Sequence, residues 1–289
     1  MSENLRGAAW MLASCVAATG MVLGVRGASD SLHPLQIVFC RFLIGFLLVS
    51  PFLLIGAGEV LASRRKPLLV FRGLLGVVSV AMGFYCVSVL PLVTATVLFF
   101  SAPLFVTLLA VPILGERVGW RRALATIIGF AGTAIVLGFD PGGFHPAMLV
   151  AVGSAFLFAL SLIVGKMLAT TERPMTIMMY FTIVTLVGSA LPAALVWRTP
   201  DLDETVLLAV VGVFATGRVY FDIRSYAAGE ASFVAPFGYL RIILVGAAGY
   251  LAFSEIPTIN AVAGAALIVL STFYIAEREA RRGRARAQV

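Results

Sequence analysis

Charged side chains and histidines are scarce in this chain. Only 12% of its 289 residues are Asp, Glu, Lys or Arg, and it has two histidines and three cysteines. A water-soluble globule of this length needs more polar surface, so a soluble protein is excluded. His33 and His145 stand singly and the cysteines form no CxxC pair, so we expect no metal site and no cofactor.

Long apolar runs are what the chain has instead. Hydrophobic residues make up 61% of it, and its mean hydropathy is +1.03. A helix needs ~20 apolar residues to cross a bilayer core, and stretches near that length follow one another. Their approximate bounds are 7–25, 35–58, 69–88, 92–113, 121–139, 147–169, 175–197, 205–226, 231–253 and 257–276. We predict an all-α polytopic membrane protein with ten transmembrane helices, called spans 1 to 10, in a single transmembrane domain over residues 1–289.

Catalytic motifs are missing from these spans. The sequence holds no HExxH and no GxSxG motif, and the spans contain one acid, Asp222. An integral-membrane enzyme would need a nucleophile, a metal cluster or paired carboxylates at one depth. We therefore expect that the protein is not an enzyme.

The distribution of Lys and Arg predicts how the spans are oriented. If the N-terminus is cytoplasmic, most of the 21 Lys and Arg fall on the cytoplasmic side. Only Arg26 and Arg198 fall on the outer side, while Arg41, Arg218 and Arg241 lie inside spans. The positive-inside rule then places both termini in the cytoplasm. Because this asymmetry explains the net charge of +7, we expect membrane lipids and a small molecule as partners, and no nucleic acid.

The two halves of the chain show a weak similarity to each other. The segment VPILGERVGWRRALATIIGFAG aligns with GYLAFSEIPTINAVAGAALIVL, which places Glu116 opposite Glu255. If each half holds five spans, the second half inserts upside down, because five is odd. We predict two inverted five-helix repeats, about 1–140 and about 141–280, followed by a basic cytoplasmic tail, 281–289. Inverted repeats are typical of secondary transporters.

Several segments resemble the EamA-type carriers of the drug/metabolite transporter superfamily. They are RFLIGFLL in span 2, FRGLLGVVSVAMGFYCVSVLPLVTATVLFFSAPLFVTLLAVPILGE over spans 3 and 4, and AAGEASFVAPFGYLRIILVGAAGYLAFSE into span 9. Within the superfamily, VTATVLFFSAPLF and FVAPFGYLR most resemble bacterial S-adenosylmethionine uptake carriers, and less closely amino-acid exporters. The resemblance implies a multi-pass protein of the bacterial inner (plasma) membrane, with a central cavity lined by spans 1, 3, 4, 6, 8 and 9.

Arg241 is the strongest candidate for a binding residue. At ~1.5 Å per residue from the cytoplasmic start of span 9, it lies near the middle of the bilayer, where a cation must face protein or a wet cavity. Asp222 follows Arg218 by four residues and can pair with it. Arg241 is then left to attract the carboxylate of an amino acid or another anion. The alternative is that Arg241 reaches Asp222 across helices and has a structural role.

Two more arginines belong to the predicted charge network of Arg218 and Asp222. Arg41 lies near the outer edge of span 2 and can extend outward to the membrane surface. The resemblance implies a basic residue before an Ala-rich end of span 8, which matches Arg224 before SYAAGEAS. Arg224 can also reach lipid phosphates or Glu230. Arg218 departs from the family pattern, which has an apolar or small polar residue there.

Aromatic residues are predicted to complete the binding site. Tyr239 precedes Arg241 by two residues, and its hydroxyl needs a partner at that depth. The other candidates lie on spans 3, 4, 6 and 8 and are Tyr85, Phe99, Phe158 and Tyr220.

The predicted function is secondary transport of a small polar metabolite, amino-acid-like or S-adenosylmethionine-like, by alternating access. Pro103 and Pro236 interrupt the backbone bonding of spans 4 and 9, so they are candidate hinges, with static bends as the alternative. A broad-specificity drug or metabolite exporter is the alternative function, and a channel is less expected. Import and export, exchange and proton coupling, and a monomer and a dimer are all compatible with the sequence.

Overall fold

A computed structural model of the chain describes residues 3–53, 63–115, 119–137, 144–229 and 234–287, and this part is helical without any β-strand. The first half contributes α1 (Glu3–Ala28), α2 (Pro34–Leu53), α3 (Lys66–Val89), α4 (Leu92–Phe99), α5 (Ala102–Leu114) and α6 (Trp120–Leu137). The second half contributes α7 (Pro146–Leu168), α8 (Pro174–Leu195), α9 (Leu202–Ala228), a 3-10 helix (Ala235–Tyr239), α10 (Leu240–Phe253) and α11 (Ile259–Ala287).

Every predicted apolar stretch coincides with a helix or with two consecutive helices. Six of them are long and apolar enough to cross a membrane, namely α1, α3, α4 with α5, α7, α8 and α9. The apolar parts of α2, α6, α10 and α11 are shorter, at 10–17 residues. The protein is therefore a membrane protein whose described residues form an all-helical fold with six candidate membrane spans of full length.

Local sequence signals explain where several helices begin and end. Pro146 and Pro174 occupy the first positions of α7 and α8, where the missing proline N–H costs no helical hydrogen bond. At the start of α9, Asp201 and Glu204 each accept the backbone N–H of the other at 2.9 Å. α5 ends at Gly115, whose positive φ of 67° suits glycine.

Spans 4 and 9 are less regular than the sequence predicts. Between α4 and α5, the N–H of Ser101 bonds to the carbonyl oxygen of Leu98 at 3.1 Å, which is the spacing of a 3-10 turn. Residues 231–233 of predicted span 9 lie outside the described residues, and in its described part the 3-10 helix Ala235–Tyr239 precedes α10. Pro103 follows the turn in span 4, and Pro236 lies within the 3-10 helix. Their role as hinges stays a prediction.

The end of the chain also differs from the expectation. Span 10 was predicted to finish at residue 276, but α11 continues to Ala287 and includes most of the predicted basic tail. Residues 54–58 of predicted span 2 lie outside the described residues. Glu116 and Glu230 also lie outside them.

Long-range packing joins helices of the first half to helices of the second. α1 lies along α9, α2 along α8 and α9, α3 along α7 and α8, and α6 along α11. The α6–α11 contact is close, because a Cβ on Gly132 would stand 2.9 Å from the carbonyl oxygen of Gly264. A Cβ on Gly264 would in turn stand 2.6 Å from the carbonyl oxygen of Gly132. The two backbones therefore touch directly.

Candidate functional site

A cavity of about 400 Å³ lies between helices of the first half and helices of the second half. Its lining comes from α1, α3, α4, α7, α9 and α10, together with Arg41 of α2 and Phe181 of α8. These six helices belong to spans 1, 3, 4, 6, 8 and 9, the set that the family resemblance implies. The volume falls in the range of ~300–1,000 Å³ that is usual for small-molecule sites.

Asp222 of α9 is the centre of a polar cluster on the cavity wall. Its Oδ1 accepts a hydrogen bond from the hydroxyl of Ser14, and its Oδ2 accepts one from Nη1 of Arg218 at 3.1 Å. The Arg218–Asp222 pair is the i, i+4 pair predicted from the sequence. Ser14 was not predicted, because a small serine in an Ala-rich span carries no distinguishing pattern. It is nevertheless fully buried, which suits a side chain that binds a carboxylate within the protein.

Arg241 of α10 completes this cluster but is held loosely. Its Nη2 lies 4.0 Å from Oδ1 of Asp222 and 3.5 Å from Oγ of Ser14, so both contacts are at the outer limit of a direct interaction. Its Nε is buried and has no hydrogen-bond partner in the described part of the chain. Because the contacts of Nη2 are long, the guanidinium is only partly engaged by Asp222 and Ser14, while its charge is partly balanced by Asp222.

Arg41 lies in the wall of the cavity, and the prediction that it extends to the outer membrane surface is wrong. Its Cζ lies 4.5 Å from the ring centre of Phe42 and 5.9 Å from that of Phe84. Attraction to these two aromatic faces holds the guanidinium inside. Its Nε and Nη1 are buried without a hydrogen-bond partner among the described residues. Arg218 is close enough for the two positive charges to repel each other.

Arg72 of α3 also lines the cavity, although the sequence did not predict it as a site residue. It lies near the predicted cytoplasmic end of span 3, where an arginine is expected from topology alone. Its Cζ stands 4.6 Å from the ring centre of Phe181 on α8. No pattern in the sequence indicates that this arginine turns inward.

The predicted aromatic residues Phe99 and Phe158 face each other in the cavity wall. Phe99 belongs to α4 and Phe158 to α7, and their ring centres are 5.2 Å apart. Together they give the cavity an apolar part, where a flat group of a ligand could pack.

Tyr85 and Tyr220 lie outside this cavity, contrary to the expectation that they line it. Successive residues of a helix point ~100° apart, so neighbours of a lining residue can face away. Phe84 lines the cavity while Tyr85 is 43% exposed, and Val219 lines it while Tyr220 is 51% exposed. Tyr220 packs edge-on against Trp10 instead, with ring centres 6.2 Å apart. A direct contact with a ligand in this cavity is therefore not available to either tyrosine in this state.

Tyr239 and Arg224 also lie outside the cavity, although the sequence predicted Tyr239 for the binding site and Arg224 for the charge network. Tyr239 lines a separate apolar hollow beside α10 and α11, and its ring centre lies 5.6 Å from that of Phe100 in the cavity wall. Arg224 is exposed, and its Cζ stands 5.4 Å from the ring centre of Trp10. Both residues therefore lie beside the charged cavity rather than in it.

A second polar cluster, called the Arg26–Glu255 cluster, joins four helix ends at the far end of α3 from Arg72. Nη1 of Arg26 donates to the carbonyl oxygens of Val87 at 3.1 Å and Ser88 at 2.6 Å. Nη2 of Arg26 lies 3.4 Å from Oε1 of Glu255, and Oε2 of Glu255 accepts the N–H of Leu92 at 2.6 Å. A carboxylate at the N-terminus of α4 also interacts favourably with the helix dipole. The cluster therefore ties the ends of α1, α3 and α4 to the end of α10.

Comparison with known proteins gives this architecture a family. The family model for EamA-like transporters matches the chain twice, over residues 5–138 and residues 145–276. A solved structure described as "Crystal structure of protein" has a TM-score of 0.64 at 21% identity, over 96% of this chain and 98% of that chain, which shows a common fold.

Two relatives of nearly equal length carry transporter names. The S-adenosylmethionine uptake transporter of Rickettsia bellii (strain RML369-C) is 32% identical over 269 residues, which are 93% of this chain and 92% of that protein. The pseudopaline exporter CntI of Pseudomonas aeruginosa is 31% identical over 255 residues, which are 86% of this chain and 87% of that protein. These names indicate transporters rather than enzymes. With the family model matching almost the whole chain, the protein belongs to the EamA-like transporter family.

Proposed function

We propose that this protein is a secondary transporter that moves a small polar metabolite, amino-acid-like or S-adenosylmethionine-like, across the bacterial inner membrane. The observation that carries the proposal is the position of Arg241. Its guanidinium faces a cavity between the two halves, and its contacts to Asp222 and Ser14 are long, at 4.0 Å and 3.5 Å. A zwitterionic head group fits this pair, because its carboxylate can bind Arg241 while its ammonium group binds Asp222.

The rest of the cavity suits the non-ionic part of such a substrate. Phe99 and Phe158 provide aromatic faces within the same space. A flat ring such as a nucleobase, or an aliphatic side chain, can pack there while the head group stays at Arg241. The name of the Rickettsia bellii relative supports a substrate with an amino-acid head group.

The proposed topology has ten membrane crossings with both termini in the cytoplasm. Its support is the six full-length spans, the four shorter apolar helices and the positive-inside distribution of Lys and Arg. The two matches of the family model support repeats of about 1–140 and 141–280. The basic end, 281–289, is then cytoplasmic.

The packing pattern supports an internal two-fold relation between the repeats. When each span is exchanged for its counterpart five spans away, the α1–α9 pair becomes the α7–α3 pair. In the same exchange the α2–α9 pair becomes α8–α3, and the pairs α6–α11 and α2–α8 each map onto themselves. Since each repeat has an odd number of spans, such a relation inverts one repeat with respect to the other.

In the proposed cycle, the two halves move so that the cavity opens to each side in turn. The Arg26–Glu255 cluster holds the outer ends of four helices together, so it breaks when the cavity opens outward. The irregular segments at Pro103 and Pro236 lie in the two counterpart spans, 4 and 9. We infer that bending at these segments accompanies the movement.

The experiment is counterflow into proteoliposomes that contain the purified protein. Vesicles preloaded with unlabelled S-adenosylmethionine, or with a mixture of amino acids, are diluted into labelled substrate. We expect saturable, transient accumulation by the wild-type protein and at least a tenfold loss of apparent affinity in Arg241→Gln. Arg224→Gln removes an arginine from the same helix bundle, outside the cavity, and serves as the control.

Two results would contradict the proposal. One is a folded Arg241→Gln protein that accumulates substrate with wild-type affinity, since the residue would then have only a structural role. The other is flux that neither saturates nor shows counterflow, which indicates a pore. Counterflow needs no assumption about net direction, so it applies equally to an importer and an exporter.

A further inference from the structure

Arg72 is fixed in the cavity by two helices of the second half. Its Cζ stands 4.6 Å from the ring centre of Phe181 on α8. On α7, a Cβ at Gly165 would lie only 2.8 Å from Nε of Arg72, so the absence of a side chain there makes the space for the guanidinium. The hydroxyl of Ser161 also donates to the carbonyl oxygen of Arg72 at 3.2 Å. These neighbours therefore fix the position of the Arg72 side chain.

The charge of Arg72 has no fixed counter-ion in the described part of the chain. Its Nε is buried without a hydrogen-bond partner, and no ion pair involves it there. The aromatic face of Phe181 offsets part of the cost of a buried cation but supplies no hydrogen-bond acceptor. A guanidinium that lines a cavity and has no ion-pair partner among the described residues is a site for an anion.

The charges on the cavity wall are strongly unbalanced. Among the described residues that line it, four are arginines, namely Arg41, Arg72, Arg218 and Arg241, and one, Asp222, is an acid. Asp222 already accepts from Ser14 and Arg218. A zwitterion bound at Arg241 adds no net negative charge, so it leaves this excess as it was. A substrate with a second anionic group reduces it.

We propose that Arg72 is a second anion-binding position and that the substrate carries two anionic groups, each a carboxylate or a phosphate. This inference rests on the proposed function, because it assumes that the cavity is the transport site. The amino-acid head group binds at Arg241 and Asp222, and the second anionic group binds Arg72. The proposal selects acidic amino-acid-like substrates over S-adenosylmethionine, which has one carboxylate and a cationic sulfonium.

The test compares ligands that differ in one charge. Equilibrium binding to the purified protein in detergent is measured for aspartate, glutamate and 2-aminoadipate against their side-chain amides, and for O-phosphoserine against serine. The comparison of carboxylate with phosphate ligands shows which of these groups binds at Arg72. The three acidic amino acids place their side-chain carboxylate at three different distances from the head group. In the wild-type protein, we expect the best acidic ligand to bind at least tenfold more tightly than its uncharged partner.

The matched variants assign that preference to Arg72. In Arg72→Gln the preference should fall to about one, because the acidic ligand loses affinity while its uncharged partner does not. Arg72→Lys should restore part of it. Gly165→Ala keeps the charge but displaces the guanidinium, so it should also lower the preference and provides a second reading if Arg72→Gln does not fold. Arg224→Gln should keep the wild-type preference.

Three results would overturn the inference: no acidic ligand binds better than its uncharged partner, S-adenosylmethionine binds more tightly than every acidic ligand, or Arg72→Gln keeps the full preference. Binding is measured without transport, so failure of the proposed function is separate. If the protein binds acidic ligands through Arg72 but shows no counterflow, this inference stands and the proposed transport function fails. If it shows counterflow of S-adenosylmethionine without a preference for acidic ligands, the transport function stands and this inference fails.

Discussion

The carboxylate of Asp222 stabilises two arginines that would otherwise repel each other. It accepts from Arg218 at 3.1 Å and lies 4.0 Å from Arg241. Removing one partner of a buried ion pair costs more than the pair contributes, because the remaining charge stays desolvated. The stability of the cluster therefore depends on this single acid.

Asp222→Asn should lower the free energy of unfolding by about 2 kcal/mol, less than the ~3–5 kcal/mol for a fully buried pair, because about a quarter of the side chain is exposed. Ser14→Ala should cost about 1 kcal/mol, as it removes one hydrogen bond. Denaturant unfolding of the purified protein in detergent measures both. Asp203→Asn, on an exposed turn of the same helix, is the control and should change little. Equal stability of Asp222→Asn and wild-type protein would contradict this account.

The sequence could predict the charged residues of the site better than its aromatic ones. A charge within an apolar span is conspicuous, and the four-residue spacing of Arg218 and Asp222 puts both on one helix face. Tyr85 and Tyr220 lie on helices that are apolar over most of their surface, so hydrophobic periodicity does not show which of their aromatic side chains turn to the cavity. Arg72 was missed for a different reason, since an arginine near a cytoplasmic helix end already has an explanation.

Helix ends, rather than helix interiors, connect the two halves at the Arg26–Glu255 cluster. Arg26 lies in the last turn of α1, Leu92 begins α4, and Glu255 follows α10. The carboxylate of Glu255, in the second half, contacts the end of α1 and the start of α4, which both belong to the first half. Any opening at this side must therefore separate its oxygens from Arg26 or from the N–H of Leu92.

Cross-linking Arg26→Cys to Glu255→Cys should therefore arrest counterflow. The experiment replaces the buried Cys15, Cys40 and Cys86 and uses a short thiol reagent with a cleavable disulfide. Counterflow should return after reduction, because the two ends can separate again. Each single cysteine variant, treated with the same reagent, is the control. Full counterflow by the cross-linked protein would show that this side does not open at the cluster.

The irregular elements are the part of the fold that hydropathy could not predict. Hydropathy averaged over 18 to 20 residues shows that spans 4 and 9 are apolar. It does not show the tight turn at Ser101 in span 4 or the 3-10 helix in span 9. The extension of α11 to Ala287 was missed because hydropathy marks the membrane boundary and not the end of a helix. Ala, Arg and Glu are good helix formers, so the helix continues where the apolar run stops.

The orientation of the complete molecule can be tested independently of any substrate. A fluorescent protein fused after Val289 should fold and fluoresce, while alkaline phosphatase fused at the same position should be inactive, because we place this end in the cytoplasm. Phosphatase fused after Thr199, between α8 and α9, should be active. Fusion after Thr170, between α7 and α8, is the matched control and should be inactive. The reverse pattern would overturn the proposed topology.

The glycine contact between α6 and α11 has a consequence for synthesis. In the described part of the chain, α11 follows every other helix, so the backbone contact of Gly132 in α6 with Gly264 forms only after those helices have been synthesised. Before Gly264 is made, the backbone of α6 at Gly132 has no contact with α11. Chains cut short before Gly264 lack this contact, so we expect the small-residue face of α6 to stay exposed to lipid in them.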